Sequence, residues 1–158
     1  MKKLIAVFMM LLAFSAQAQT LTAQQFENQW EKPVELNAET QWVIVTQVKD
    51  AGKIVQATFA DLELSDLAQH KLVYIADISG MPGFITKMFA LPKMRDYAFP
   101  IALIKEDSQL VAMNLGEADK ESVLVLQLKG LEVVKSQTFN DQESFQNYLK
   151  SDVLSASK

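Results

Sequence analysis

Apolar residues along this chain come in short runs, and the spacing inside each run predicts its element. Trp42 to Val48 (WVIVTQV) is β-branched and apolar and turns polar at its end, which predicts a strand. Leu72 to Ala76 (LVYIA) predicts a second buried strand ending at Asp77. Between them, Lys49-Asp50-Ala51-Gly52 reads as a small polar turn. Ile54, Val55, Phe59, Leu62 and Leu67 then fall near one face of a helix running from Lys53 to about Gln69, with a break at Ser65. Upstream, Thr22-Ala-Gln-Gln25 has the form of a capping box. It predicts a short helix that carries Phe26 and Trp30 and is closed by Lys32-Pro33.

Downstream, Gly80 to Gly83 (GMPG) reads as a turn, and Phe84 to Ala90 as a short helix that must stop by Pro92. Two hairpins come next. One pairs Ile101–Ile104 with Leu110–Met113 across Glu106-Asp-Ser108; the other pairs Val123–Leu128 with Leu131–Val134 across Lys129-Gly130. Asn140, with Glu143 three residues on, predicts a capped terminal helix whose inner stripe is Phe145, Tyr148 and Leu149. The polar tail after Lys150 is expected to fray. The order is β-α-β-α, a hairpin, then β-β-α. Strands separated by helices favour a parallel sheet, and the late hairpins add antiparallel strands.

The start of the chain obeys a different logic. Lys2 and Lys3 precede an apolar core from Leu4 to Phe14, and Ser15-Ala16-Gln17-Ala18 supplies an A-x-A cleavage pattern. Those eleven apolar residues fall short of the roughly 20 that a membrane-spanning helix needs. Residues 1–18 are therefore expected to be a signal peptide, and 19–158 a single domain with no membrane insertion after cleavage. No cysteine stands near the cleavage site to carry a lipid, so the expected location is the periplasm, with secretion as the alternative.

Charge and cysteine content narrow the chemistry. The chain has 15 basic and 19 acidic residues, and loss of Lys2 and Lys3 takes its net charge from −4 to −6. An acidic chain does not track phosphate backbones, which argues against nucleic acid as a partner and against adhesion to anionic lipid. There is no cysteine at all, so neither a disulfide nor a thiolate nucleophile is available. His70, the only histidine, cannot make a zinc site alone and has no serine elbow to serve. No Walker A, G-x-G-x-x-G, H-E-x-x-H or calcium-loop motif occurs, so no cofactor and no metal are expected.

Two groups of residues remain as candidate sites. Lys49, Asp50, Gly52 and Lys53 lie where a helix begins, and free N–H groups, the helix dipole and two lysines could hold a carboxylate or phosphate. The alternative is a solvated turn in which Asp50 caps the helix. Asp77 ends the second strand, on the edge where α/β sheets usually bind ligands, or else simply caps a turn. The second group is a Met/aromatic window: Met81, Phe84, Met88, Phe89, Met94, Tyr97 and Phe99. It could grip a partner or an apolar ligand; the other reading is that Phe84, Met88 and part of the rest pack the short helix on the sheet. Arg95 is expected to pair with Asp96, or alternatively to bind a carboxylate.

The element order resembles that of a thioredoxin fold. In thioredoxins a strand ends in a W-C-G-P-C-K loop, and Val48-Lys49-Asp50-Ala51-Gly52-Lys53 occupies the corresponding slot. Lys49 and Gly52 stand where the two cysteines would be, and Ser122 where the cis-proline would be. "SVLVLQLKGLEVVKSQTFNDQESFQNYL" resembles the closing β-β-α, and "FPIALIKEDSQLVAMNL" resembles a hairpin of peroxiredoxin-like members. Within this superfamily the chain is similar to the YtfJ-type periplasmic proteins, through its exported start, "DISGMPGF", "YAFPIALI" and "ADKESVLVLQLKGLEVV". The resemblance implies an α/β, three-layer thioredoxin-like sandwich: a mixed sheet, helices on both faces and a peroxiredoxin-like hairpin insertion. It implies a compartment but no substrate.

The expected function is binding without thiol chemistry, toward a periplasmic protein or a small ligand of unspecified identity. Two other classes stay open: a non-thiol enzyme or anion-binding protein using the Lys49/Asp50/Asp77 edge, and an envelope partner subunit using the Met/aromatic window. Purified protein is expected to show no disulfide reductase and no peroxidase turnover in coupled assays with dithiothreitol. Clear thiol-dependent turnover would defeat the redox-inactive reading.

Overall fold

The computed structural model describes residues 19–115 and 119–157. The expected signal peptide, residues 1–18, lies outside the described residues. A seven-stranded sheet has the order β2-β1-β5-β4-β3-β6-β7. β3 (Trp42–Thr46), β4 (Leu72–Asp77) and β5 (Ala102–Ile104) are parallel neighbours. β6 (Val123–Lys129) runs antiparallel to β3, and β7 (Glu132–Phe139) antiparallel to β6. β1 (Gln24–Glu27) and β2 (Pro33–Leu36) form an antiparallel pair joined to β5 through Glu27 and Leu103.

Side-chain alternation divides the central strands between two cores. Ile44, Tyr74, Leu103 and Val125 face one layer, with α1 (Lys49–Asp61) and α5 (Gln142–Tyr148) supplying Val55, Phe59 and Phe145. Val43, Val45, Ile75, Ile104 and Leu126 face the other, covered by Leu21, Leu110 and Met113. The three layers and the mixed sheet expected from the sequence are therefore present, with helices on both faces.

Several elements differ from expectation. The Thr22–Gln25 segment opens a strand, because Phe26 alternates inward and β1 gains partners on both sides, in β2 and β5. Pro33 does not close a helix. It opens edge strand β2, where its missing N–H matters least. A helix replaces the first hairpin: residues 107–112 form α4 (Asp107–Ala112). Gln109 Oε1 accepts the backbone N–H of Lys105 at 2.8 Å and of Glu106 at 3.2 Å, which closes the helix start. Leu110 and Met113, three apart, both turn to the second core, while Val111 is left 79% exposed. The late hairpin is as expected, and Gly130 and Leu131 at its turn both have positive φ.

The terminal helix starts one residue later than expected. Asp141, and not Asn140, accepts the Ser144 N–H at 2.8 Å. Its continuation, a π turn over Leu149–Val153, does not fray, because Leu149 and Val153 are fully buried in the first core.

Gln29 ties the N-terminal hairpin to the rest. It is fully buried; its Nε2 donates to Phe99 O at 2.8 Å, and its Oε1 accepts the Ile101 N–H at 2.8 Å. Gln29→Leu would leave those two backbone groups dry and unpaired, at ~1–3 kcal/mol each. Urea unfolding should show a loss of about 2–4 kcal/mol. A change below ~0.5 kcal/mol would mean that water replaces the side chain.

Candidate functional site

Because β3, β4 and β5 are parallel and β6 is antiparallel to them, one sheet edge collects their C-terminal ends and the start of β6. Lys49, Asp77 and Ser122 therefore share that edge. The expected Lys-Asp-Ala-Gly turn is instead the first turn of α1. Ala51 and Gly52 are buried against the sheet, and Gly52 N–H already bonds Val48 O at 3.1 Å. That burial outweighs the helix cost of glycine, ~1 kcal/mol. A Cβ on Gly52 would lie 3.7 Å from the Tyr74 hydroxyl and 3.9 Å from Thr46 Oγ1, so the helix sits directly on these two side chains.

The charged groups at this edge are engaged locally. Asp50 does not cap α1. Val48 holds the cap position, and Asp50 pairs with Lys53 at 3.0 Å, with both side chains largely exposed. The Lys53 hydrogen bond, then its charge, hold the Asp50 carboxyl below the usual carboxylate range. Asp77 accepts from the Ser79 N–H at 2.9 Å and hydroxyl at 2.6 Å, and Ser79 reaches Asp107 at 2.9 Å. Ser122 is buried, with its hydroxyl 2.5 Å from Asp119 and 2.6 Å from Asn140. The Ser122 hydrogen bond is the first cause of a lowered Asp119 pKa, ahead of the Glu121 N–H. Topology thus brings these residues to one edge, and the hydrogen bonds given for the described residues join Asp50 to Lys53 and Asp77 to Ser79 rather than to each other.

The Met/aromatic window forms the second region. α2 (Gly83–Ile85), a π turn (Thr86–Ala90) and α3 (Leu91–Met94) make one continuous rod. It passes Pro92 instead of stopping there. The π turn bonds Leu91 N–H to Thr86 O, five residues back, and this change of register precedes the residue that has no N–H to give. The register also decides what is buried. Met81, Leu91, Met94 and Tyr97 pack on the first core, and Phe99 lies inside it. Phe84, Met88 and Phe89 are 65%, 67% and 65% exposed, and Ile85 is exposed beside them. Phe84 and Met88 therefore do not pack the helix on the sheet. Arg95 donates its Nε–H to Gln29 O at 2.9 Å, in place of the expected pairing with Asp96.

His70 ends a 3₁₀ turn (Ala68–His70), half-buried, with its Nε2 3.1 Å from Gln69 Nε2. Among the described residues, no helix is long and apolar enough to cross a membrane, and no three His, Cys, Asp or Glu side chains cluster as a metal site. A groove of about 450 Å³ lies near the start of β4, lined in part by Lys32, Glu35, Asn37, Glu39 and Lys71. None of the candidate site residues, Lys49, Asp50, Gly52, Lys53, Asp77, Ser122 or the Met/aromatic window, lines it.

The sequence reading missed the pair beneath α1. Thr46 Oγ1 and Tyr74 OH lie 3.0 Å apart, buried, and Phe59 meets Tyr74 edge-on with ring centroids 5.7 Å apart. A tyrosine inside an otherwise aliphatic run was the only signal. Burial pushes the Tyr74 phenol up to about 12, against a smaller opposing effect of the Thr46 hydrogen bond. The folded state then holds a proton that the unfolded chain releases above about pH 10. Stability from this group is complete below pH 10 and falls as pH rises toward 12, by roughly 3 kcal/mol in all. Tyr74→Phe should cost about 1 kcal/mol at pH 8 and yet become the more stable form near pH 11.5. Guanidinium midpoints across that range test this; parallel curves for the two proteins would contradict it.

No protein-family model matches the sequence, and no curated protein matches it. Solved structures do. The thioredoxin domain of a thiol-disulfide oxidoreductase from Bacteroides vulgatus superposes with a TM-score of 0.55 at 12% identity, over 88% of this chain and 99% of that one. The peroxidoxin BcpB of Mycobacterium tuberculosis gives 0.56 at 13%, over 89% and 97%. BsSco, of the Sco family of cytochrome c oxidase assembly proteins, gives 0.56 at 14%, over 89% and 95%. At such identities the likeness concerns the fold, and the fold of this chain is thioredoxin-like.

Proposed function

We propose that this chain is a redox-inactive, exported thioredoxin-fold protein that works by binding another protein. Residues 1–18 act as a cleaved signal peptide, and residues 19–158 form one thioredoxin-like domain in the periplasm, similar to the YtfJ-type proteins. The observation that carries the reading is the outward face of the α2–α3 rod, where Phe84, Ile85, Met88 and Phe89 are exposed together. Fully burying one such side chain is worth ~1.5–3 kcal/mol, so four of them form a strong contact surface. Met88 adds adaptability, and the two phenylalanines supply rigid anchors. With no cysteine in the chain, thiol chemistry is not available at the slot that resembles the redox loop.

The alternative is a non-thiol enzyme or anion site at the Lys49/Asp50/Asp77 edge. It has the topology in its favour, but Asp50 and Asp77 are already engaged locally. Asp50 and Asp77 have partners in Lys53 and Ser79, whereas the four large apolar side chains of the rod are exposed to water.

The test is a photo-crosslinking amino acid placed at Met88 in cells, with exposed Ala57 of α1 as the comparison position. Adducts to one protein are expected from position 88 and not from 57, and Phe84→Ser with Phe89→Ser should abolish them. Because both phenylalanines are exposed, that double variant should unfold within ~1 kcal/mol of the parent. Equal adducts from 57 and 88, or none from either, would sink the proposal.

A further inference from the structure

The rod has a charge as well as an apolar face. From Met81 to Arg95 the sequence reads MPGFITKMFALPKMR. It holds Lys87, Lys93 and the sole arginine, and none of the chain's 19 carboxylates. Lys87, Lys93 and Arg95 are exposed, as are the four apolar side chains between and beside them. Leu91 and Met94 pack on the core, whereas the four apolar side chains and the cations are exposed. In a protein of net charge −4, this is a stretch of exposed apolar and cationic groups, ended by exposed Asp96, in which Lys87 and Lys93 are the cations not bonded to the N-terminal hairpin as Arg95 is.

We infer that the α2–α3 rod docks into an apolar groove edged with carboxylates on a partner protein; the inference rests on the binding reading above and supplies the chemistry of the partner. Phe84 and Met88, four residues apart, and Ile85 and Phe89, four apart, make the paired anchors of a helix laid in a groove. Lys87 and Lys93 select a rim of opposite charge, which sets orientation and speeds encounter.

Two other occupants fit less well. A two-fold pairing of rods would gather the cations of both copies in one interface to which residues 81–95 bring no carboxylate. An anionic membrane is an extended plane. It would meet more of a protein of net charge −4 than the rod alone, whereas a groove meets only the rod.

The experiment uses the full mature protein carrying the photo-crosslinker at Met88. Three backgrounds are compared at about 0.15 M salt, where the Debye length is ~8 Å. These are the parent, Lys87→Glu with Lys93→Glu, and a control with Lys32→Glu and Lys71→Glu, which reverses exposed cations elsewhere. Reversal on the rod should cut adduct yield at least about ten-fold, through slower encounter and like-charge repulsion. The control should stay within about two-fold. Mass spectrometry should map the adduct to an apolar segment of the partner flanked by Asp or Glu.

An adduct insensitive to charge reversal on the rod would overturn the carboxylate rim and leave the binding reading standing. An adduct to a second copy of this chain would overturn the choice of partner. So would flotation of the parent with phosphatidylglycerol vesicles that is lost in Lys87→Glu/Lys93→Glu. The absence of any adduct from position 88 would overturn both the inference and the reading beneath it.

Discussion

Trp42, Val43, Ile44, Val45 and Thr46 are all buried, so β3 has no solvent face. A strand buried on both sides requires a layer above and a layer below it. The rest of the architecture stems from that requirement. α1 and α5 cover the side of Ile44 and Tyr74; α4 and the N-terminal segment cover the side of Val43 and Val45. Parallel β3, β4 and β5 need crossovers, and these carry α1 and the α2–α3 rod. The same geometry gathers strand ends at one edge, together with Lys49, Asp77 and Ser122.

That edge is a packed joint. Ala51 and Gly52 let α1 approach Thr46 and Tyr74, and the helix begins as soon as the strand has turned. The slot that resembles a redox loop is thus occupied by small side chains and by a buried hydroxyl pair. Ser122 is likewise committed to Asp119 and Asn140. The polar groups at the edge are engaged with neighbouring loops and helix ends.

The rod beside it is built the opposite way. Its inner side, Leu91 and Met94, joins the core, and its outer side leaves large apolar groups in water. The π turn sets this division, since one extra residue in the turn rotates α3 relative to α2 and admits Pro92. A domain with a stability of ~5–15 kcal/mol tolerates this exposure. It leaves several kcal/mol of burial unrealised until another surface arrives.

Strands with continuous apolar runs were legible in the sequence. WVIVTQV, LVYIA and β6 stand where they were expected, because two-faced burial leaves an unambiguous composition, and the largely exposed β7 was marked instead by the Lys129-Gly130 turn before it. The order of those strands carried the fold class, and it places Lys49, Asp77 and Ser122 at one edge of the sheet. Tertiary structure alone decided the rest. The capping-box pattern at Thr22–Gln25 is worth ~1 kcal/mol, less than pairing β1 on both sides and burying Phe26. At Leu110 and Met113 a short apolar segment satisfies either period, and only contact with the second core selects helix. The start of α1 at Lys49 and the outward turn of Phe84, Met88 and Phe89 depend on what lies beneath each helix. Sequence determined which residues are apolar; the register of each helix against the sheet determined which of them meet water.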